Sequence, residues 1–207
     1  MSGKSRLWRT GAVFYGPWVK IAGGIARGIP LSVGRGQAVR PATDRMREAL
    51  FSSLGPRVEG ARVLDLFAGT GAYGLEAWSR GAARVEFWER HARTMAILKG
   101  NAAAVARSLG QEVTTLGFHT GDLFSALPGG TFELILADPP YPDLNRALPR
   151  LGEIVLHCLA RAPAARFCLE MPGDAQPRLP GLVLLRRLGK GRGQPSMALF
   201  AWSEDAA

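Results

Sequence analysis

One stretch constrains this chain more than any other: Val63-Leu64-Asp65-Leu66-Phe67-Ala68-Gly69-Thr70-Gly71-Ala72-Tyr73-Gly74. From Val63 to Phe67, apolar residues flank a single carboxylate, the pattern of a short buried strand. Gly69, Thr70 and Gly71 then form a turn whose backbone can take positive φ and come close to a ligand. From Ala72 to Arg80 the pattern becomes helical, with Leu75 and Trp78 on one face. A strand passing through a glycine turn into a helix opens a nucleotide-binding α/β unit, with its ligand at the carboxyl end of the strand. Gly69, Gly71 and Gly74 satisfy G-x-G-x-x-G, and Glu89 stands where a dinucleotide site needs a ribose-binding acid. NAD is therefore one candidate ligand.

Asp65 points elsewhere, because an NAD site has no particular need for a carboxylate inside that strand. The run D-x-F-A-G-T-G, here Asp65 to Gly71, is similar to the loop that binds S-adenosylmethionine (SAM) in Rossmann-type methyltransferases. SAM carries an ammonium and a sulfonium, so an acid beside the loop suits its charge. The structural alternative is that Asp65 only ties down the turn.

With 207 residues, 47% of them hydrophobic, the chain can form one full domain and an appendage around a sizeable core. No apolar run approaches the roughly 20 residues of a membrane span. The basic N-terminus lacks the apolar segment of a secretory signal. Cys158 and Cys168 are the only cysteines and sit in apolar surroundings, so buried reduced thiols are expected. No Cys/His spacing suggests zinc. A cytoplasmic protein without metal or membrane attachment is the expectation.

The net charge of +9 is unevenly spread. Lys4, Arg6, Arg9, Lys20, Arg27, Arg35 and Arg40 all precede the first acid, Asp44. That asymmetry suggests an arm for a polyanion joined to a nearly neutral domain. Residues 1–18 show no clear period and are expected to be a flexible tail. Val19–Ala22 and Ile29–Val33 read as the strands of a basic hairpin, and Thr43 or Asp44 can cap a helix running to Leu54.

Beyond Arg62 the pattern alternates strand and helix, as a doubly wound parallel sheet requires. Strands are expected at Arg62–Phe67, Arg84–Glu89, Val113–Thr120, Phe132–Ala137 and Arg166–Met171, with helices at 72–80, 91–109, 122–127 and 143–160. Leu182–Leu188 and Ser196–Trp202 should close the chain as an antiparallel hairpin around Gly189 to Gly193. The fold class is thus α/β, a Rossmann-type, mostly parallel seven-stranded sheet. Its expected organisation is a tail at 1–18, a basic, polyanion-binding hairpin and helix at 19–56 and a nucleotide-binding domain at 57–207.

A second anchor follows the buried strand at Phe132–Ala137, namely Asp138-Pro139-Pro140-Tyr141. Two prolines fix φ and remove two backbone donors, leaving a stiff loop with free carbonyls. The sequence D-P-P-Y after the fourth strand is similar to the catalytic loop of methyltransferases that modify exocyclic amino nitrogens. Such an amine is a poor nucleophile, because its lone pair is delocalised into the ring. Asp138 and the Pro139 carbonyl can accept its two N–H bonds and align it with a methyl group, so that much of the acceleration is orientation. Tyr141 can stack on the base, which is worth roughly 1–3 kcal/mol. A base in structured nucleic acid must be turned out to reach such a pocket. Neither cysteine lies in a comparable loop, which disfavours chemistry at cytosine C5.

Arg40-Pro41-Ala42-Thr43-Asp44-Arg45-Met46-Arg47-Glu48 narrows the choice. Together with the two loops and Ile21-Ala22-Gly23-Gly24, it makes the chain resemble the RsmD family, bacterial enzymes that make N2-methylguanine in 16S ribosomal RNA. The resemblance runs from Val19 to Trp202. It implies that SAM lies against Asp65, Phe67, Ala68, Gly69, Gly71, Glu89 and Arg90, with Asp122 and Leu123 at the adenine. It also implies catalysis on the loop Asp138, Pro139, Pro140 and Tyr141. RNA would be held by Lys20, Arg27, Arg35, Arg40, Thr43, Arg45 and Arg47. The expected partner is 16S rRNA or an assembling small subunit, and the expected state is a monomer. The family often carries a second acid two residues after the one matching Glu89, where this chain has His91. Three rivals remain, a DNA adenine-N6 methyltransferase, an assembly factor that binds SAM without turnover and, ranked last, an NAD dehydrogenase.

Overall fold

The computed structural model describes residues 19–34, 41–189 and 191–204, and the side chains of 41–43 lie outside that set. A short antiparallel pair, β1 (Val19–Lys20) and β2 (Pro30–Leu31), precedes helix α1 (Pro41–Leu54). Strand β3 (Arg62–Leu66), helix α2 (Ala72–Ser79), strand β4 (Arg84–Glu89), helix α3 (Ala92–Leu109) and strand β5 (Leu116–Thr120) follow. The chain then crosses to β6 (Leu134–Ala137), α4 (Leu144–Cys158) and β7 (Arg166–Pro172), and ends in the hairpin β8 (Leu182–Leu188) and β9 (Pro195–Trp202). The seven strands after the N-terminal pair form one sheet in the order β5-β4-β3-β6-β7-β9-β8. The first five strands in that order run parallel, and β9 pairs antiparallel with both β7 and β8.

Each central strand is a nearly unbroken apolar run because helices cover both faces of the sheet. Val63, Val85 and Phe87 pack towards α2 and α3, with Leu75 and Leu98 in the same cluster. Leu64, Leu66 and Ile135 face the other way, onto Leu151 and Ile154 of α4. Each such buried side chain contributes on the order of 1.5–3 kcal/mol. The sheet order matters most between β3 and β6. There the chain leaves in opposite directions from adjacent strands, which opens a crevice at their carboxyl ends.

Val19, Ile21, Ala26 and Leu31 of the hairpin region belong to the same buried cluster as Leu50, Val63 and Leu75. The Ile25 amide donates to the Ser79 carbonyl (2.9 Å), and the Ala26 amide donates to Ser79 Oγ (2.9 Å). The basic arm is thus bonded to the end of α2.

Several expectations need correction. Residues 122–127 form no helix: the Asp122 carboxylate accepts the Phe124 amide and its carbonyl accepts the Ser125 amide, closing a local turn that Pro128 cannot extend. Val113–Thr115 is a turn of 3-10 helix, so β5 starts only at Leu116. Phe132 makes an isolated parallel bridge to Leu159, and β6 begins at Leu134. Residues 1–18, Arg35, Arg40, Lys190 and the Thr43 side chain lie outside the described residues. Burial of Cys158 pushes its thiol up to about 11, and burial raises Cys168 further. Among the described residues, no helix is long and apolar enough to cross a membrane.

Candidate active site

The carboxyl ends of β3, β4 and β6 border two adjoining cavities of about 520 and 230 Å³. Phe67, Gly69, Asp138 and Pro140 line both, so the glycine loop and the D-P-P-Y loop form the partition between them. Parallel pairing brings the two motifs together: Leu66 stands opposite Ala137, and the Asp138 amide points to the Leu66 carbonyl at 3.5 Å.

The glycine loop is shaped by three local conditions. Phe67 has φ 57°, the sole non-glycine positive φ among the described residues, a conformation that costs on the order of 1–3 kcal/mol. Gly71 (φ 84°) closes the turn onto the Ala68 carbonyl at 2.8 Å and caps α2. A Cβ on Gly74 would lie 2.3 Å from the Phe87 ring and 2.9 Å from the Asp65 carboxylate. Gly74 therefore lets α2 settle onto the sheet, and its amide donates to Asp65 Oδ2 at 2.8 Å. Asp65 does tie down the turn, and it also lines the larger cavity.

Burial pushes the Asp65 carboxyl up to about 8; the Gly74 amide opposes this and the charge of Glu89 adds to it. The raised value makes a testable sign. Between about pH 4 and 8 the native state holds a proton that the unfolded chain has released, so this group's contribution to stability falls as pH rises through that window. Asp65→Asn keeps an oxygen for the Gly74 amide but cannot ionise. Its melting temperature relative to wild type should therefore climb between pH 5 and 8. A constant difference across that range would show that Asp65 is already ionised in the native protein.

Glu89, at the end of β4, is 8% exposed and lines the smaller cavity. Its Oε2 accepts the Gly69 amide (3.0 Å) and its Oε1 the His91 amide (2.8 Å), so it holds the glycine loop and the entry to α3 at once. Arg90, Asp122 and Leu123 join it around the smaller cavity, and Ala68 lies on the larger one. Pro139 and Tyr141 also line the larger cavity.

The RNA-facing set needs one correction. Lys20, Arg27 and Arg45 are exposed, but Arg47 is 2% exposed. Its guanidinium pairs with Asp44 (3.1 Å) and Glu76 (3.4 Å) and donates to the Lys20 carbonyl. A surface position in sequence has become a buried brace, because α1 turns that face onto α2.

Three polar residues escaped the sequence reading. Asn101 accepts the Ser32 amide and donates to the carbonyls of Ser32 and Thr70, linking the arm to the glycine loop. Glu76, fully buried, receives Arg47, Arg80 and the Ala22 amide. Glu170, 3% exposed on β7, accepts Tyr73 Oη at 2.5 Å and Tyr141 Oη at 3.5 Å. The missed signal for Glu170 was the one that flagged Asp65, a lone carboxylate in a buried apolar strand.

Fold and site together define the class, a Rossmann-type methyltransferase fold with the D-P-P-Y loop on the strand next to its glycine loop. Residues 19–166 match the model of the family described as Conserved hypothetical protein 95. The chain belongs to that family, the RsmD family. It is 37% identical over 123 residues to ribosomal RNA small subunit methyltransferase D of Escherichia coli (strain K12), a match covering 59% of this chain and 60% of that protein. Among solved structures, yhhF from Escherichia coli superposes with a TM-score of 0.73 at 30% identity, covering 89% of this chain and 97% of that one. SMU.776, solved in complex with SAH, shares the fold alone, with a TM-score of 0.62 at 14% identity over 84% of this chain and 53% of that one.

Proposed function

We propose that this chain transfers the methyl group of SAM to the exocyclic N2 of a guanine in 16S ribosomal RNA, within an assembling small subunit in the cytoplasm. The observation that carries the reading is Asp138, which lines both cavities, one suited to a nucleoside and the other to an incoming base. The donor set fits SAM. Glu89 and Asp122 offer carboxylates to ribose hydroxyls and an adenine amine in the smaller cavity, and Asp65, whose carboxyl a bound cation would draw into its ionised form, faces an ammonium in the larger. When bound, SAM supplies an electrophilic methyl carbon: a new N–C bond forms as the C–S pair returns to sulfur.

The chain's own residues supply the alignment. Asp138 and the Pro139 carbonyl accept the two N–H bonds of N2 and point its lone pair across the partition. The prolines keep that loop from yielding, and Asp138 takes the surplus proton and passes it to water. Tyr141 stacks on the base. Lys20, Arg27 and Arg45, with Arg35 and Arg40, carry the phosphate contacts of the RNA, whose strength falls with salt.

Glu89→Ala should weaken SAM roughly ten- to a hundredfold, since charge-assisted bonding to the ribose worth on the order of 1.5–3 kcal/mol is lost. An unchanged affinity in calorimetric titration would exclude the ribose role. The function itself is tested by labelled-methyl transfer to undermethylated small subunits, with the product nucleoside identified after digestion. N2-methylguanosine is expected. Label appearing instead in adenine of duplex DNA would make the chain a DNA methyltransferase, and SAM binding without single-turnover transfer would make it an assembly factor.

A further inference from the structure

Glu170 is used by nothing in the alignment described above, yet it faces the same cavity as Asp138. Its place follows from strand register. Ala137 of β6 stands opposite Leu169 of β7, so the next residues along the two parallel strands, Asp138 and Glu170, are neighbours at the carboxyl edge of the sheet. Two phenols meet Glu170 there. Tyr73 Oη donates to Glu170 at 2.5 Å, and Tyr141, at the end of the D-P-P-Y loop, reaches it at 3.5 Å. Burial raises the Tyr73 phenol well above its ordinary value, and the charges of Glu170 and Asp138 raise it further, so both carboxylates act on one point of the cavity wall.

We infer that Glu170 selects guanine, by accepting the N1–H of the base whose N2 amine is held by Asp138. This deepens the proposed function and rests on it. On its Watson–Crick edge guanine presents an N1–H donor directly beside its exocyclic amine. Adenine and cytosine present a ring-nitrogen acceptor beside theirs. A flipped base is read by hydrogen bonds to that edge. One carboxylate beside any exocyclic amine serves all three bases; two neighbouring carboxylates suit guanine alone, because the second would meet a lone pair on the others. The Tyr141 contact to Glu170 is at the outer limit of a hydrogen bond. Movement of Tyr141 onto the base exchanges that weak contact for the N1–H, which couples stacking to recognition.

The test changes the base before it changes the protein. Once transfer has located the target guanosine in the RNA, that position is replaced by 2-aminopurine, which keeps the N2 amine and carries a bare N1. Wild-type protein should methylate the analogue on the order of 100-fold more slowly or worse, as a site built around a donor rejects a substrate lacking it. Comparable rates on guanosine and 2-aminopurine would overturn the inference without any variant having to fold. Glu170→Gln, whose amide can donate to a bare N1, should lose rate on guanosine and gain relative rate on 2-aminopurine, moving the ratio tenfold or more towards parity. A carboxylate that only braces Tyr73 and Tyr141 predicts equal losses on both bases, and an unmoved ratio with wild-type SAM affinity would assign Glu170 to that role. Failure of the underlying reading looks different: wild-type protein would then transfer no methyl group to guanosine in any small-subunit substrate.

Discussion

Asp138→Ala should lower the single-turnover rate of methyl transfer by about 10²–10⁴-fold, the range that a positioned polar group contributes to a reaction. SAM affinity should stay near wild type. The separation follows from where the residue stands: its amide is fixed near Leu66 of the adjoining strand, and the residue lines both cavities. Removing it frees the amine to rotate away from the line of attack while Glu89, Asp122 and the glycine loop stay intact. Asp138→Asn should be milder, since its carbonyl still accepts one bond. Parallel losses of SAM affinity and rate would recast Asp138 as a cofactor-pocket residue. Rapid-quench transfer and calorimetry on the same preparations separate the two.

Glu76→Ala should cost about 3–5 kcal/mol of stability, because it removes one side of a buried ion pair. Glu76 is 0% exposed, and Arg47, its partner from α1, is 2% exposed. The same carboxylate accepts the Ala22 amide at 2.6 Å and binds Arg80 at 2.7 Å. Loss of Glu76 therefore leaves a guanidinium and a backbone donor buried without it. The effect should be visible as a lower denaturation midpoint in urea, at a slope close to that of wild type. Pairing it with Arg47→Met should recover a large part of the loss, since an apolar replacement no longer strands a charge. Additive losses in that cycle would show that Glu76 acts through the Ala22 amide and Arg80 rather than through Arg47.

The two loops that matter were legible because their chemistry is local. Glycines are needed where the backbone itself must turn, as at Gly71. Two consecutive prolines stiffen their own segment whatever surrounds them. Strands buried on both faces announce themselves as short apolar runs, which is why β3, β4 and β7 lie close to where periodicity put them. The segment at 122–127 misled for an equally local reason: an Asp at its head can close a turn as readily as it can cap a helix.

Polar side chains inside the fold were another matter. Arg45 and Arg47 sit two residues apart on one helix with the same chemistry, and only packing against α2 sends one to solvent and the other into an ion pair with Glu76. Asn101 and Thr70 are joined across α3 and the glycine loop, and Glu170 meets Tyr73 and Tyr141 from a strand that enters the sheet later. The amino-acid sequence by itself determined the alternation of strands and helices, the glycine turn and the proline loop, since each depends on the conformational preferences of neighbouring residues. The tertiary structure alone decided which charges are buried, and which carboxylate stands beside Asp138. Those outcomes depend on the order of strands in the sheet and on the register between them, quantities that connect residues distant in the chain.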